Sequence, residues 1–533
     1  MDNAAIADRL DAFAALLDLA DANVYTARAY RRAAATIRST PASVHELVRA
    51  GRIQELNGIG SGIAARLGEL IETGRIAELD ELEREVRPEL VGLGRYLGVA
   101  PKRMLEIAAE LDVRTPDEFR EAAAAGRLQT VRGVGPATER RLLARLTRES
   151  AQASRGIHLD RARALLEQIA TALDGEVAGD VRRWTALPSD LVVVAAADRP
   201  DAVLDRFAEL RAVVTVVERE ERYAVGVTVE GLPVTLHVPE PARFGTGLVR
   251  STGSDAYVAA LGRLPEAADE EAVYRALGLP WCPPELREEP FSGEPPQLVE
   301  LGDVRGDLHC HTTWSDGRAT VREMALAAIE LGYEYIAICD HTPAVRVVPG
   351  LDADDLRRQG EEIAAVNEEV QPFRVLRGTE VDIRRDGELD LPDDVLAELD
   401  WVQLSLHAGQ REPGDELTRK VTHAMRHPAV RCLSHPTGRL LGYRAPNALD
   451  IDRVIEVALE TGVALEVNGL PARLDLDGEH VRVAVRAGVP VVASTDAHST
   501  RGLSNMRLAV ATARRGWATA ADVLNTRRVQ ALG

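Results

Sequence analysis

The sequence predicts a multidomain chain that combines α+β and α/β architecture. It reads as helical at the N-terminus, mixed in the middle, and a barrel of parallel strands and helices at the C-terminus. Three observations carry that prediction. Apolar residues recur at spacings of three and four through the first 150 positions, the period of amphipathic helices. Strand-like runs cluster between Leu191 and Val238. From Asp307 to Trp517, short β-rich apolar runs alternate with helical stretches, as in parallel strands joined by crossovers.

Taken in order, residues 1–80 predict short helices over Asp2–Asp18, Val24–Ile37, Ser43–Ala50 and Gly62–Glu72. Residues 81–155 form a second helical region. Residues 156–280 open with an amphipathic helix over Ile157–Leu173. Strands follow at Leu191–Ala197, Val213–Val217, Tyr223–Val229 and Pro233–Val238, then helices near Asp255–Leu264 and Glu270–Leu277. Residues 281–302 hold Pro283, Pro284, Pro290, Pro295 and Pro296 among acidic residues, the composition of an interdomain linker. Residues 303–533 form the barrel.

No apolar stretch approaches the roughly 20 residues of a membrane span. The first 20 residues carry Asp2, Asp8, Asp11 and Asp18, which a secretory signal would lack. Cys282, Cys310, Cys339 and Cys432 show no paired spacing, so a cytoplasmic protein with reduced thiols is expected, and a monomer. Net charge is −20 and unevenly distributed. Residues 1–150 hold 22 basic against 23 acidic side chains, a net of −1, and the remainder carries −19. An acidic chain gains no general attraction to nucleic acid, so DNA binding must be local.

The strongest chemical signal is a series of metal-binding side chains: His309, His311, Asp316, His341, Glu380, His407, His435, Asp496 and His498. Nearly all follow apolar runs, so a parallel barrel would gather them at the C-terminal ends of its strands, where barrel active sites are built. Imidazole with carboxylate suits zinc, manganese or iron. His309 and His311, two apart on a strand, share a face, while Cys310 points away. His423, His427 and His480 lie on helices or a loop and read as ordinary polar residues.

A second signal lies near the N-terminus. Gly58, Gly60 and Gly62 sit between two helices, and Gly133 and Gly135 repeat the arrangement about 75 residues later. Both segments resemble the hairpin of a helix-hairpin-helix motif, whose backbone N–H groups at a helix start meet a DNA phosphate. Glycine-rich turns that merely join packed helices would share the pattern, but two copies beside Arg66, Arg140 and Arg141 favour DNA contact. A third Gly-x-Gly, Gly92-Leu93-Gly94, reads as a degenerate copy.

The stretch from Asp307 through His309, His311 and Asp316 to Gly317 resembles the first motif of the PHP (polymerase and histidinol phosphatase) superfamily. Cys339-Asp340-His341, Gly378-Thr379-Glu380, Ser434-His435-Pro436 and Asp496-Ala497-His498 resemble its later motifs. The resemblance implies a distorted (β/α)7 barrel with three divalent ions. His309, His311, Glu380 and Asp496 would hold one ion, and Glu380 would bridge to a second held by His407 and His435. Asp316, His341 and His498 would hold the third. Asp316 and His341 would then act in catalysis, with Arg439 as a phosphate contact.

The order of regions resembles bacterial family X DNA polymerases over essentially the whole chain: helix-hairpin-helix, a nucleotidyltransferase-like palm, then PHP. Where that family has Gly-Ser before two arginines, this chain has Gly179-Asp180-Val181-Arg182-Arg183. The paired catalytic aspartates fall at Asp190 and Val192, and the third at Thr235. Nucleotidyl transfer by two metals needs carboxylates that hold both ions, so a degenerate polymerase site is expected. The stretch matching the family's abasic-site lyase, Ala29-Tyr30-Arg31-Arg32-Ala33, has no lysine, and arginine cannot form an imine.

The function expected is therefore a DNA-repair phosphoesterase, a 3′–5′ exonuclease or abasic-site endonuclease, using zinc or manganese, or iron. Its partner would be DNA at ends, gaps or abasic sites, with no membrane. Two other readings stand beside it: an active gap-filling polymerase, against which Val192 and Thr235 count, and a small-molecule phosphatase, against which the hairpins count.

Overall fold

The structure is a computed structural model that describes residues 24–39, 44–56, 58–80, 87–146, 156–345 and 348–532, plus scattered positions between 6 and 17. It divides into two compact units: residues 1–154 with 199–238, and residues 155–198 with 239–533. Among the described residues no helix is long and apolar enough to cross a membrane. Strands β1 (Glu176–Ala178), β2 (Leu191–Val194), β3 (Thr215–Glu220), β4 (Tyr223–Val227) and β5 (Pro233–His237) precede the barrel.

The first unit is mostly helical. Helices Val24–Ser39, Val44–Arg49 and Ser61–Thr73 fall where the apolar periodicity places them. The expected helix Asp2–Asp18 is helical at each described position but otherwise lies outside the described residues. One core forms around Phe13, Tyr30, Ile37, Leu67 and Leu70, with the Phe13 and Tyr30 rings edge-on at 4.7 Å. A second forms around Leu90, Leu93, Met104, Phe119 and Leu142. Helix Pro116–Ala124 starts at a capping box, Thr115 with Glu118, which satisfies two backbone donors at the turn. Within this unit β3, β4 and β5 form an antiparallel meander. Gly92-Leu93-Gly94 is no hairpin: it lies inside helix Pro88–Tyr96. A Cβ on Gly92 would meet Val214 at 2.5 Å, and one on Gly94 would meet Met104 at 2.7 Å, so close packing explains both glycines.

The second unit carries the barrel. Its strands are β6 (Gly306–Cys310), β7 (Tyr335–Ile338), β8 (Arg374–Asp382), β9 (Trp401–Ser405), β10 (Cys432–Leu433), β11 (Ala464–Asn468) and β12 (Val491–Ser494). They form one parallel sheet in sequence order. A parallel bridge between Cys310 and Ala497, with His311 N–H donating to Ala497 O at 2.9 Å, draws the two ends together and nearly closes the barrel. All seven strands are buried almost throughout, because helices cover the outside and polar ligands fill the inside. Cys310 joins an outer apolar cluster with Val321, Met324 and Ile338, away from the ligands.

The proline-rich segment expected as a linker is packed rather than loose. Cys282 and Leu286 join a core with Val249, Tyr257 and Tyr274, and Arg287 is fully buried. The Arg287 guanidinium donates to Glu270 at 2.5 Å and to Cys282 O at 2.9 Å, partners that proline content alone does not reveal.

Candidate metal centre and DNA-binding hairpins

Each barrel strand except β11 delivers expected ligands to the same end. His309 lies within β6, with His311 just past its end and Asp316 on the following loop. His341 follows β7, Glu380 lies within β8, and His407 and His435 follow β9 and β10. Asp496 and His498 follow β12. His435 and Asp496 adopt positive φ, +24° and +52°, conformations that side chains other than glycine rarely take. Such outliers persist where surrounding structure imposes them, and they concentrate at functional sites.

The distances converge. His309 Nε2 and His311 Nε2 face each other at 3.1 Å, and Asp496 Oδ1 stands 3.2 Å from His311 Nε2. Glu380 lies centrally, with Oε2 2.9 Å from His341 Nδ1 and Oε1 2.9 Å from His435 Nε2. His407 Nε2 is 3.7 Å from the same carboxylate. On the more open side, Asp316 Oδ2 is 3.2 Å from His498 Nε2 and Oδ1 is 3.6 Å from His341 Nε2. Three groups could each hold an ion: His311, Asp316, His341 and His498; His309, His311 and Asp496; and His341, Glu380 and His407.

Whether these residues suit metal can be tested on their hydrogen bonds. Buried polar atoms are ordinarily paired, yet His311 Nδ1, His341 Nδ1, His435 Nδ1 and Glu380 Oε2 are buried without a hydrogen-bond partner. The 2.9 Å approach of His341 Nδ1 to Glu380 has the distance of an ion pair but not hydrogen-bond geometry. Buried lone pairs left open are what a cation completes. The donor set fits divalent metal.

Electrostatics agree. Burial alone would push the Glu380 carboxyl up, but the imidazoles of His407, His309 and His341 outweigh it and hold the group well below its usual range. Burial lowers His341, yet Glu380 and Asp316 lift it to about 10. His311 is driven down to about 3 by burial and by the neighbouring His498 and His341. Acids and bases are so crowded that protons and metal ions must compete for the same atoms.

Sequence reasoning missed the residues that orient the ligands. Glu466 on β11 is fully buried and accepts from His309 Nδ1 at 2.6 Å, Ser494 Oγ at 2.6 Å and His435 N–H at 2.6 Å. With Nδ1 donating, His309 presents its Nε2 lone pair inward, the usual second-layer support of a metal-bound imidazole. Asn468 Nδ2 donates to Asp496 Oδ2 at 3.1 Å. Glu466 and Asn468 alternate with apolar Leu465 and Val467 on a buried strand, and that alternation is the signal that could have found them.

Arg439, expected as a phosphate contact, has several of its donors engaged within the barrel. Its buried guanidinium donates to Arg473 O at 2.8 Å, to Leu474 O, and to Asp477 at 3.1 Å. It ties the loop after β10 to the loop after β11. His423 and His427 stand outside the three groups, and His480 bonds Asp477 at 2.9 Å.

In the first unit, Gly58 and Gly133 take φ of +83° and +81°, left-handed turns that favour glycine. Each follows a 3-10 turn, Ile53–Glu55 or Arg127–Thr130, and precedes a helix, Ser61–Thr73 or Pro136–Leu146. Gly60 caps the first helix, and its carbonyl accepts from Ala64 N–H at 2.9 Å. Gly135 O likewise accepts from Glu139 N–H at 3.0 Å. Among the described residues nothing lies within 4 Å of a Cβ placed at Gly58, Gly60, Gly62 or Gly135, and one at Gly133 would meet only Arg103 Nη2, at 3.5 Å.

A parallel barrel with imidazoles and carboxylates gathered at its strand ends defines a hydrolase of the PHP class, and the PHP domain family matches residues 307–445. The helix-hairpin-helix domain family matches residues 1–76, and the DNA polymerase beta thumb family matches residues 247–288. The chain is 34% identical to the DNA polymerase/3′-5′ exonuclease PolX of Bacillus subtilis (strain 168), across 98% of this chain and 97% of that protein. It therefore belongs to the bacterial family X DNA polymerases that carry a PHP domain. It is also 30% identical to a probable phosphatase of Thermoanaerobacter sp. (strain X514), over 41% of this chain and 89% of that protein. A probable phosphatase of Acetivibrio thermocellus is 32% identical over 36% of this chain and 78% of its own length.

Proposed function

We propose that this protein is a metal-dependent DNA phosphoesterase of the repair type, a 3′–5′ exonuclease or abasic-site endonuclease, whose polymerase site is inactive. The observation that carries the reading is the convergence of eight ligand side chains in three groups, with His435 beside Glu380, and several of their buried atoms lack hydrogen-bond partners. Three divalent ions, zinc, manganese or iron, would be held as the family pattern has it. Such ions polarise a phosphodiester and make nucleophilic water available near neutral pH. The chain's own side chains do the rest. Glu466 sets the tautomer of His309, Asn468 fixes Asp496, and Glu380 lies between the imidazoles of His341 and His435. Asp316 and His498 are the most open of the nine, so we assign the substrate's entry to their side, with Asp316 and His341 beside the leaving oxygen. The hairpins at Gly58–Gly62 and Gly133–Gly135 would deliver DNA, as helix starts that receive phosphate.

The inactive polymerase rests on residue chemistry. Val192 is buried in β2 opposite Ala178, Thr235 lies in β5, and of the three motif positions only Asp190 keeps a carboxylate. The two arginines of the phosphate-binding turn are already engaged. Arg182 makes two 2.8 Å bonds to Glu270, and Arg183 bonds Asp180, Glu288 and Thr252 O. The phosphatase relatives favour a second reading, hydrolysis of a small phosphomonoester.

The test is one panel with added manganese or zinc: 3′ ends, abasic duplexes, small phosphate esters, and a gapped primer with deoxynucleotides. We expect DNA cleavage and no primer extension above background. Hydrolysis of small monoesters alone would favour the phosphatase reading. Clear extension abolished by Asp190→Ala would overturn the inactive polymerase.

A further inference from the structure

Three loops meet beside the metal centre, each following a ligand-bearing or ligand-supporting strand. They are the loop after β9 with Arg411, the loop after β10 with Tyr443 and Arg444, and the loop after β11 with Arg473. Hydrogen bonds knit them together. Asn447 Nδ2 donates to Gln410 Oε1 at 3.0 Å and to Pro436 O at 3.2 Å. Leu441 N–H donates to Ala472 O at 2.7 Å, and the buried Arg439 ties the second loop to the carbonyls of the third. The rim is thus built on fixed backbone rather than on loose side chains.

Its chemistry is unlike the rest of the barrel. In a chain of net negative charge, no carboxylate lies within salt-bridge distance of Arg411 or Arg444 among the described residues, whereas Glu412 pairs with Lys420 and Asp477 with Arg439. Arg444 donates twice to Gly438 O, at 2.9 and 2.6 Å, which anchors one edge of its guanidinium. Burial, then the positive charges of Arg473 and Arg411, push that guanidinium down from its ordinary value, so the three arginines feel one another. Arg473 is only 16% exposed, its Nε is buried without a hydrogen-bond partner, and it lies 3.6 Å from Oδ2 of the ligand Asp496. Beside them, a tight turn closed by Leu440 and Arg444 presents Tyr443, which is 89% exposed. An aromatic ring held in water at the tip of a pinned turn is poorly explained by folding.

We propose that Arg411, Tyr443, Arg444 and Arg473 form the substrate-reading rim of this centre: the arginines hold backbone phosphates of single-stranded DNA, and the Tyr443 ring stacks on one base. This inference rests on the nuclease reading and deepens it by naming the side chains that hold the strand. An aromatic face can stack on a base only where that base is unpaired, so the strand at the rim must be single-stranded. Stacking tolerates any base, which suits an enzyme that degrades an end without reading sequence.

The experiment uses the full metal-loaded chain and two oligonucleotides of equal length, one ordinary and one whose 3′ residues are base-less tetrahydrofuran sites. Wild type should favour the ordinary strand in kcat/KM by about ten-fold, the lower part of the stacking range. Tyr443→Ala should collapse that ratio toward one, while Tyr443→Phe should keep it. Arg411→Ala and Arg444→Ala should weaken both strands alike and flatten the log–log salt dependence of binding by roughly one phosphate's share each. A Tyr443→Ala enzyme that keeps the wild-type ratio overturns the proposal. Wild type that hydrolyses bis(p-nitrophenyl) phosphate but neither oligonucleotide overturns the nuclease reading instead, and the rim falls with it.

Discussion

Two buried clusters of acids and bases in the same unit make opposite use of similar groups. At the barrel's strand ends, Glu380 and Asp496 meet imidazoles, and several buried atoms, Glu380 Oε2 among them, are left without hydrogen bonds. In the palm-like region, Asp180 and Glu270 meet arginines, and all their carboxylate oxygens are satisfied. Asp180 accepts from Arg183, from Ser189 N–H at 2.8 Å and from Asp190 N–H at 2.9 Å. Glu270 accepts from both Arg182 and Arg287, which hold its carboxyl below the usual range against the opposing pull of burial. In the palm-like cluster the carboxylate oxygens are all taken, although Arg287 Nη2 is buried without a hydrogen-bond partner; at the strand ends it is acceptor lone pairs that stay open, as a cation requires. Arginine, always protonated, completes a carboxylate permanently, whereas imidazole can shed its proton and accept a cation.

Removing single carboxylates from each cluster would break that comparison or sharpen it. Glu380→Ala should remove most bound metal and lower phosphodiester hydrolysis by more than about 100-fold, beyond the range typical of outer-layer partners. Elemental analysis against a His480→Ala control reads the first and a chromogenic diester the second. Glu270→Ala should do the reverse. It leaves the fully buried Arg287 charge uncompensated, which costs about 3–5 kcal/mol in denaturant unfolding, with metal content kept. If Glu270→Ala strips the metal, or Glu380→Ala keeps it, the distinction fails.

A finer test concerns support rather than ligation. Glu466→Gln preserves shape but weakens the hold on His309 Nδ1, and metal affinity should fall about 10- to 100-fold with the fold intact. Competition with a chelating dye measures it, and an unchanged affinity would make Glu466 a packing residue.

The smallest effect is expected at the hairpins. Gly58→Ala and Gly133→Ala force a side chain into left-handed backbone at a cost of about 1–2 kcal/mol per site. Because a Cβ at Gly58 meets nothing within 4 Å among the described residues and one at Gly133 meets only Arg103 Nη2 at an ordinary 3.5 Å, the loss should appear as several-fold weaker duplex binding rather than unfolding. Hydrolysis of the small diester should hold steady. Fluorescence anisotropy on a short duplex separates the two, and unaltered affinity in the double variant would make the turns mere connectors.

Much of this molecule is legible in its amino-acid order, for identifiable reasons. Strand periodicity and apolar runs place His309, His311, His341, Glu380, His407, His435, Asp496 and His498 near strand ends, because covalent spacing alone decides which face of a strand a side chain takes. The hairpin glycines can likewise be found locally, since a left-handed turn is a property of a few consecutive residues. Partnership across the chain cannot. Arg439 is adjacent in sequence to a ligand motif, yet its donors go to carbonyls about 35 residues away. Proline content describes residues 281–302 as a linker, whereas Arg287 is drawn inside by Glu270. Alternation on β11 marks Glu466 as facing the barrel interior, but its partner, His309 Nδ1, is fixed only when the barrel brings β6 and β11 together. Residue type and period determine what a position is able to do; which long-range partner takes its hydrogen bonds is decided only when the barrel closes.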